Sequence, residues 1–363
     1  MSEADKNLLI SVPIDLLYNG MVVQDDIYDS TGDRLLVTSG NTLNVVQLER
    51  IKRLNSGGSN IFVTGRTHET MLSKRPNIDF ERRTEVEEST GYTKIKDETF
   101  ELLEEISAKR TISVKSLTVF SDVLTEQIES NPPTILMFLI NAMAPVDEYL
   151  QRHCVNVGML NGLIGRWMGL PKTEVDKLVM IGLVHDCGKI LLPTKVLNAP
   201  RRLTTVEYEV VKKHVVHTYD LLSEFPEDIR LAASSHHERL NGKGYTKNLS
   251  GDDIPLGARI TAISDTYDAM VAQRAYQGPQ SPFTTLAHME ELGTSELDGD
   301  IINVLIDNMP ETLLNEPVMM SDGTIGIVRD YDPGDIGYPT VELSGREIKT
   351  GVNLYCVHMF SDE

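Results

Sequence analysis

Residues 172–189 read KTEVDKLVMIGLVHDCGK and hold the strongest structural signal in the chain. Apolar side chains recur there at the spacing of one helical face, at Val175, Leu178, Val179, Gly182 and Leu183. We expect a helix that Thr173 caps and that His185 and Asp186 close. Adjacent helical positions diverge by about 100°. The two side chains could therefore serve neighbouring metal ions, with the carboxylate bridging between them.

The pattern around this helix predicts a mainly α protein with three parts. Helical periodicity runs from Tyr92 to about Met309, and Thr204 and Glu207 have the spacing of a capping box. Short apolar runs split by turn residues flank it, with one helical stretch at 45–54. We expect a small, β-rich α+β domain over residues 1–66, a linker over 67–90, an all-helical domain over 91–311 and a β-rich appendage over 312–363.

Composition narrows the classes of partner. The chain has 363 residues and a formal net charge of −20, which disfavours binding to DNA. Its three cysteines form no C-x-x-C pair, which favours a reducing compartment. The N-terminus lacks the features of a signal peptide, and the apolar run at 135–144 is about half of a membrane span. We expect a cytoplasmic protein without a membrane anchor.

Histidines are concentrated in the helical part. Six of the nine are His153, His185, His214, His217, His236 and His237. Imidazoles with interleaved carboxylates suit iron, manganese or zinc. His214 and His217 share a predicted helical face with Val210 and Leu221. A single core histidine more often bonds a carbonyl, the interpretation that we favour for His217 or His153 taken alone. His68, His288 and His358 have no histidine cluster around them, and we expect surface or packing positions for them.

Two motifs resemble those of a known family. His185-Asp186-Cys187-Gly188-Lys189 is similar to the HD-x-G-K signature of HD-domain phosphohydrolases, and residues 236–245, HHERLNGKGY, resemble the second signature of the HD-GYP branch. Residues 254–260, 265–270 and 274–276 extend the likeness, which covers roughly residues 135–310. Residues 20–27 and 43–54 are more weakly similar to a domain often found ahead of HD-GYP domains. The resemblance implies an HD-type helical fold.

The resemblance also implies a ligand set for two divalent ions, with iron or manganese as the expected metals. One ion would be held by His153, His185, Asp186 and Asp265, and the other by Asp186, His214, His236 and His237. A water bridging two such ions loses its proton near neutral pH and can attack a phosphodiester. This would make Asp186 a catalytic residue as well as a ligand.

Substrate contacts are implied at four further residues. Lys189 could reach a phosphate oxygen and stabilise the charge of the transition state, and Arg274 is a weaker candidate for the same role. Gly244 and Tyr245 belong to the loop 242–245 beside the metals, which would face the substrate or a signalling protein. A homodimer is a further expectation.

Three positions depart from the family pattern. Members with a third metal carry a glutamate four residues before the first metal histidine, and here that residue is Tyr149. Asn241 and Thr246 replace an expected aspartate and proline near the loop. We therefore predict two metals and an altered loop.

The function implied is hydrolysis of cyclic di-GMP to linear pGpG, with a further step to GMP left open, in bacterial second-messenger signalling. One alternative is hydrolysis of another cyclic dinucleotide, such as 3′,3′-cGAMP. Another is a sensor that binds cyclic di-GMP with little turnover, which Asn241 and Thr246 support. A nucleotidase or alarmone hydrolase of the wider HD class is disfavoured by the second histidine pair and its loop.

Overall fold

The computed structural model describes the chain most fully after residue 110. The described residues are 9–13, 22–23, 26–28, 35–39, 41, 43, 51, 60–64, 92, 101, 108, 111–141, 149–197, 203–271, 280–293, 295–322, 324–352 and 354–359. The linker predicted over 67–90 lies outside them, as do His68 and Arg274. The helix predicted over 45–54 also lies outside them apart from Ile51, which is helical and buried.

Short strands occur in the N-terminal part, as the turn signals predicted. They are β1 (Leu9–Pro13), β2 (Val22–Val23), β3 (Ile27–Tyr28), β4 (Leu35–Val37) and β5 (Asn60–Thr64). Strand β5 lies between β1 and β2 in an antiparallel sheet, and β3 pairs with β4.

The central part is helical, which confirms the predicted fold class. Its helices are α1 (Val114–Ser130), α2 (Pro133–Asn141), α3 (Tyr149–Trp167), α4 (Lys172–Val184), α5 (Thr194–Leu197), α6 (Thr205–Val211), α7 (His214–Leu221), α8 (Glu227–Ser234), α9 (Leu256–Val271), α10 (Pro282–Gly293) and α11 (Gly299–Asn308). Short 3-10 helices cover Cys187–Leu191, Gly251–Asp253, Pro310–Leu313 and Pro333–Asp335.

Two predicted helix starts have different outcomes. The capping box is confirmed, because the Thr204 hydroxyl accepts a bond from the Glu207 amide and the Glu207 carboxylate accepts one from the Thr204 amide. The Thr173 cap is wrong. Helix α4 begins at Lys172, two residues before the start that a Thr173 cap predicts, so Thr173 lies within the helix. Pro171 is the N-cap residue, and no side-chain cap hydrogen bond is made there.

Helix α3 lies at the centre of the helical core, packed against α1, α4 and α9. Its Asn161 is fully buried and ties three helices together. The Asn161 Nδ2 donates to the carbonyl of Leu178 on α4 and to the hydroxyl of Thr261 on α9, each at 2.9 Å. Hydrogen bonds between buried groups of different helices fix how the helices sit against one another. This fixes α3, α4 and α9, the helices nearest to the predicted ligands.

A five-stranded antiparallel sheet follows the helices, as predicted. Its strands are β6 (Pro317–Met320), β7 (Ile325–Asp330), β8 (Thr340–Leu343), β9 (Arg346–Lys349) and β10 (Cys356–Met359), in the order β10-β6-β7-β8-β9. Val318, Val328 and Val341 are fully buried and join the hydrophobic cluster of the helices. The bounds of the domains stay predictions. Within the described part of the chain, no helix is long and apolar enough to span a membrane.

Candidate metal centre

The seven predicted ligands come from five places in the fold and converge in the helical core. Helix α3 carries His153, α9 carries Asp265 and α7 begins with His214. His185 and Asp186 follow the last residue of α4, and His236 and His237 follow the end of α8. They form two groups whose ligand atoms lie within 4.8 Å of one another in each group.

The first group consists of His153, His185 and Asp265. His153 Nε2 lies 3.2 Å from Asp265 Oδ1 and 3.2 Å from His185 Nε2. Asp186 Oδ2 faces the same group, at 3.4 Å from His153 Nε2 and 3.5 Å from His185 Nε2. Two imidazole nitrogens and two carboxylates therefore point at one position.

The second group consists of Asp186, His214, His236 and His237. Asp186 Oδ1 lies 3.2 Å from His214 Nε2 and 3.9 Å from His236 Nε2. The His237 ring centroid is 4.1 Å from that of His236 and 5.1 Å from that of His214. Because each oxygen of Asp186 faces a different group, its carboxylate lies between them as a bridging ligand would.

Three of these buried atoms have no hydrogen-bond partner among the described residues: Asp186 Oδ1, His214 Nε2 and His236 Nε2. Leaving a buried polar atom unpaired costs on the order of 1–3 kcal/mol. Their lone pairs face one another, so protein donors do not satisfy them, whereas a cation would. The donor set of imidazoles and carboxylates fits a divalent transition metal.

Backbone carbonyls set the orientation of three of the rings. The Nδ1 atoms of His185, His214 and His236 lie 2.7 Å from the carbonyl oxygens of Gly182, Val211 and Ala233. A carbonyl only accepts, so each Nδ1 carries the hydrogen and each Nε2 keeps a free lone pair. Metal-binding histidines are commonly held in this way.

His153 is oriented by residues that the sequence did not indicate as functional. Its Nδ1 lies 2.7 Å from Asp268 Oδ2, and Asp268 Oδ1 accepts a bond of 2.7 Å from Asn156 Nδ2. Asn156 Oδ1 in turn accepts a bond of 2.7 Å from the Tyr92 hydroxyl. Asp268 lies three residues after Asp265 on α9 and is buried. A carboxylate one turn from a predicted ligand, in an apolar helix, was the available signal.

Burial and neighbouring charge leave the carboxylates ionised. Burial pushes the pKa of Asp186 upward, but Lys189 and the nearby imidazoles outweigh it and hold the pKa well below the usual value. Burial likewise raises the pKa of Asp265, and the bond from His153 helps to bring it well below the usual value. Both carboxyl groups are therefore negative and can bind a cation.

Burial has the opposite effect on the histidines. It lowers the pKa of His214, lowers that of His237 to about 3 and brings that of His236 well below the usual value. These imidazoles are neutral at pH 7. Neutral imidazole is the form that binds metal.

The predicted substrate residues that the structure describes adjoin the ligands. The Lys189 ammonium pairs with Asp186 Oδ2, and the lysine side chain is 24% exposed. The Tyr245 ring stacks on His237, with centroids 4.7 Å apart. A Cβ on Gly244 would lie 2.4 Å from the Glu238 Cα and 2.5 Å from the His237 carbonyl oxygen. Only glycine allows the loop to pass so close to the residues that follow His236.

Other predictions about the histidines have mixed outcomes. The continuous helical face from Val210 to Leu221 is wrong, because the helix breaks at Lys212 and Lys213 and His214 begins α7. The break places His214 Nδ1 against the Val211 carbonyl. His217 is half-buried and belongs to neither group of candidate ligands. The His288 side chain is exposed on α10, as expected.

Residues 138–301 match the family model described as HD domain. A cyclic di-GMP phosphodiesterase of Thermotoga maritima is 30% identical over 194 residues, which cover 52% of this chain and 50% of that protein. The cyclic di-GMP phosphodiesterase response regulator RpfG of Xanthomonas campestris is 39% identical over 132 residues, 35% of each chain. The 3′3′-cGAMP-specific phosphodiesterase 2 of Vibrio cholerae is 32% identical over 145 residues, 39% of this chain and 28% of that protein.

The chain thus spans about half the length of these curated relatives, or less. Among solved structures, Bd1817, an HDG"Y"P protein from Bdellovibrio bacteriovorus, superposes with a TM-score of 0.50 at 16% identity. The match covers 84% of this chain and 100% of that one. At this identity, the likeness concerns the fold.

Proposed function

We propose that this chain is a metal-dependent phosphodiesterase of cyclic dinucleotides, because residues 138–301 match the HD-domain model and the motifs at 185–189 and 236–245 resemble those of the HD-GYP branch. The substrate that we propose is cyclic di-GMP, opened to linear pGpG. The observation that carries the proposal is the convergence of seven buried or half-buried ligands with three unpaired lone-pair atoms among them.

The candidate ligands are assigned to two ions by their positions. His153, His185 and Asp265 would hold one ion, His214, His236 and His237 the other, and Asp186 both. Two bound divalent ions supply Lewis acidity and lower the pKa of water toward neutrality. Iron and manganese suit this donor set. The predicted number of two ions follows from Tyr149, which occupies the helical turn before His153 on α3.

Lys189 has a position from which it can act on a phosphate. Its ammonium lies at the edge of the ligand set, beside Asp186, and its side chain is partly open to solvent. A cation placed there can stabilise negative charge that develops on a phosphate oxygen. Arg274 stays a candidate for the same role, on sequence alone. The signalling partner at loop 242–245 and the homodimer also stay predictions from sequence.

A second candidate substrate is 3′,3′-cGAMP. Relatives from Vibrio cholerae that match this chain at 32% and 31% identity bear the name of 3′3′-cGAMP-specific phosphodiesterases. The proposed reaction takes place at a phosphodiester, which both cyclic dinucleotides share. Specificity for the base therefore has to come from residues beyond the ligands.

Turnover by the metal-loaded chain tests the proposal. The full chain, loaded with Mn²⁺ or Fe²⁺, should linearise cyclic di-GMP, and chromatography should resolve pGpG. Asp186→Ala should abolish product, because both groups lose their shared carboxylate. His214→Ala should lose activity, whereas His217→Ala, one turn along α7, should keep it.

The competing hypotheses predict different results for turnover and for binding. Preference for 3′,3′-cGAMP in an equimolar mixture would move the substrate to the second candidate. Tight calorimetric binding of cyclic di-GMP with negligible product would identify a sensor, the reading that Asn241 and Thr246 support. Intact substrate and no binding after metal loading would contradict the proposed function.

A further inference from the structure

His237 differs from the other four candidate histidine ligands. Each of the others has a ring nitrogen within 2.7 Å of a carbonyl or carboxylate oxygen that fixes its orientation. His237 makes no such side-chain hydrogen bond with any residue in the described part of the chain. Its ring instead lies against Tyr245, with centroids 4.7 Å apart and planes 29° apart.

Tyr245 is itself held in place from several sides. Its backbone amide donates to the His237 carbonyl at 3.2 Å, which ties it to the residue on which it stacks. The Lys212 ammonium lies 5.4 Å from the centre of the Tyr245 ring and 5.0 Å from that of Tyr208. The Tyr208 ring packs edge-on against Tyr245, at 6.4 Å. A cation near an aromatic face and an edge-to-face ring pair are both attractive arrangements.

We propose that Tyr245, supported by Lys212 and Tyr208, is a positioning residue that replaces the missing hydrogen bond of His237 and holds its imidazole toward Asp186. The proposal rests on the metal site of the proposed function, because it concerns how one ligand of that site is oriented. It gives the second group a stacked aromatic ring where the other ligands have an oxygen acceptor.

The ring of Tyr245, and not its hydroxyl group, performs this role. Within the described residues, the hydroxyl has no hydrogen-bond partner, whereas the ring face contacts the imidazole. Phenylalanine should therefore replace Tyr245, and leucine should not, because leucine offers no flat face. A role for the hydroxyl in substrate binding would give the opposite result, a defect in Tyr245→Phe.

Metal affinity measured without substrate provides the test. Mn²⁺ is titrated calorimetrically into the chelator-stripped full chain, and bound metal is counted by elemental analysis. Loss of a group that orients a metal ligand typically weakens metal binding about 10- to 100-fold. We expect Tyr245→Leu to weaken one class of bound ion by that factor, and Tyr245→Phe to bind as the wild type does.

The control is another tyrosine with a cation over its ring and no imidazole contact. Arg230 lies 4.0 Å from the centre of the Tyr219 ring, so Tyr219→Leu removes a comparable pair and should leave Mn²⁺ affinity unchanged. Should Tyr245→Leu fail to fold by circular dichroism, Lys212→Met decides. It should weaken binding, and Lys212→Arg should restore it.

Three results would overturn the proposal. The first is wild-type Mn²⁺ affinity in Tyr245→Leu, or in Lys212→Met if Tyr245→Leu does not fold. The others are equal losses of Mn²⁺ affinity in Tyr245→Phe and Tyr245→Leu, and no Mn²⁺ binding by the wild type. The measurement uses no cyclic dinucleotide. A wild type that binds Mn²⁺ but hydrolyses nothing would contradict the proposed function. The Mn²⁺ affinities of the variants would still test the stacking role of Tyr245.

Discussion

Among individual residues, the candidate centre depends on those that orient the ligands as much as on the ligands themselves. His153 is buried and shares a short contact with Asp268, whose other oxygen accepts from Asn156. A carboxylate that accepts from a metal-binding imidazole fixes its ring and raises its basicity. Asp268 is thus placed to govern how strongly His153 binds an ion.

Replacement of Asp268 by asparagine should weaken metal binding about 10- to 100-fold, the usual effect of losing such a partner. The amide oxygen still accepts from Nδ1, but the negative charge that raises the basicity of His153 is gone. Calorimetric titration of Mn²⁺ measures the change. Asp228→Asn, in an exposed pair with Lys177, is the control and should have no effect. Equal Mn²⁺ affinities of Asp268→Asn and the wild type would mean that the charge of Asp268 does not affect metal binding.

The convergence of the candidate ligands could be predicted from sequence because these residues belong to motifs, whereas the residues that orient them could not. His185 and Asp186 are adjacent, as are His236 and His237, and the family pattern adds the distant ligands. The pair of His153 and Asp268 joins positions 115 residues apart. Without the fold, nothing distinguishes that carboxylate from any other on a helix.

Among the helices, the 3-10 helix Cys187–Leu191 determines the position of Asp186, which it follows directly. This helix packs against α7, which begins with His214. The Thr218 hydroxyl joins the two, since it accepts from the Gly188 amide at 3.1 Å and donates to the His185 carbonyl at 3.0 Å. The distance between Asp186 and His214 follows from this contact.

Gly188→Ala should therefore damage both stability and the metal centre. The added Cβ would lie 2.0 Å from the His214 carbonyl oxygen and 2.6 Å from the Thr218 amide, so backbone has to move. Overpacking of this kind costs about 1–3 kcal/mol of unfolding free energy. Urea unfolding and Mn²⁺ titration measure the two effects. Gly351→Ala, where the Cβ meets nothing within 4 Å, should change neither.

Helices were predictable from periodicity, and their ends were less so. The pattern that placed Val210 and His214 on one helix counts apolar spacing, which continues across the break at Lys212 and Lys213. A break in the helix that leaves the apolar spacing of the sequence intact leaves no trace in such a count. The site nevertheless depends on it, because the break lets His214 bond the Val211 carbonyl.

In the molecule as a whole, the candidate metal centre lies inside the hydrophobic core that stabilises the fold. The helices and the C-terminal sheet share one buried cluster, and His185, Asp186, His214 and His236 are fully buried. Unfolding therefore exposes the candidate ligands together with the core. The protonation of these ligands is then coupled to global stability.

The histidine pKa values set the direction of that coupling. Burial lowers the pKa of His214, His236 and His237 below the ordinary 6.5 of an unfolded chain, and that of His237 to about 3. Below pH 6.5, the unfolded chain binds protons that the folded chain does not. Stability should therefore fall as the pH falls. Asp186 and Asp265, with lowered pKa values, stay ionised in both states between pH 5 and 7 and add no slope.

Lowering the pH from 7 to 5 in the presence of a chelator should thus destabilise the protein by about 2 kcal/mol for His237 alone, at 1.36 kcal/mol per pKa unit. Urea unfolding followed by circular dichroism at the two pH values measures the difference. His237→Gln removes one of the titrating groups, so its unfolding free energy should decrease less between pH 7 and pH 5 than that of the wild type. Equal unfolding free energies at pH 7 and pH 5 in the wild type would mean that the imidazoles take up protons within the folded core, and that they are not held neutral as metal binding requires.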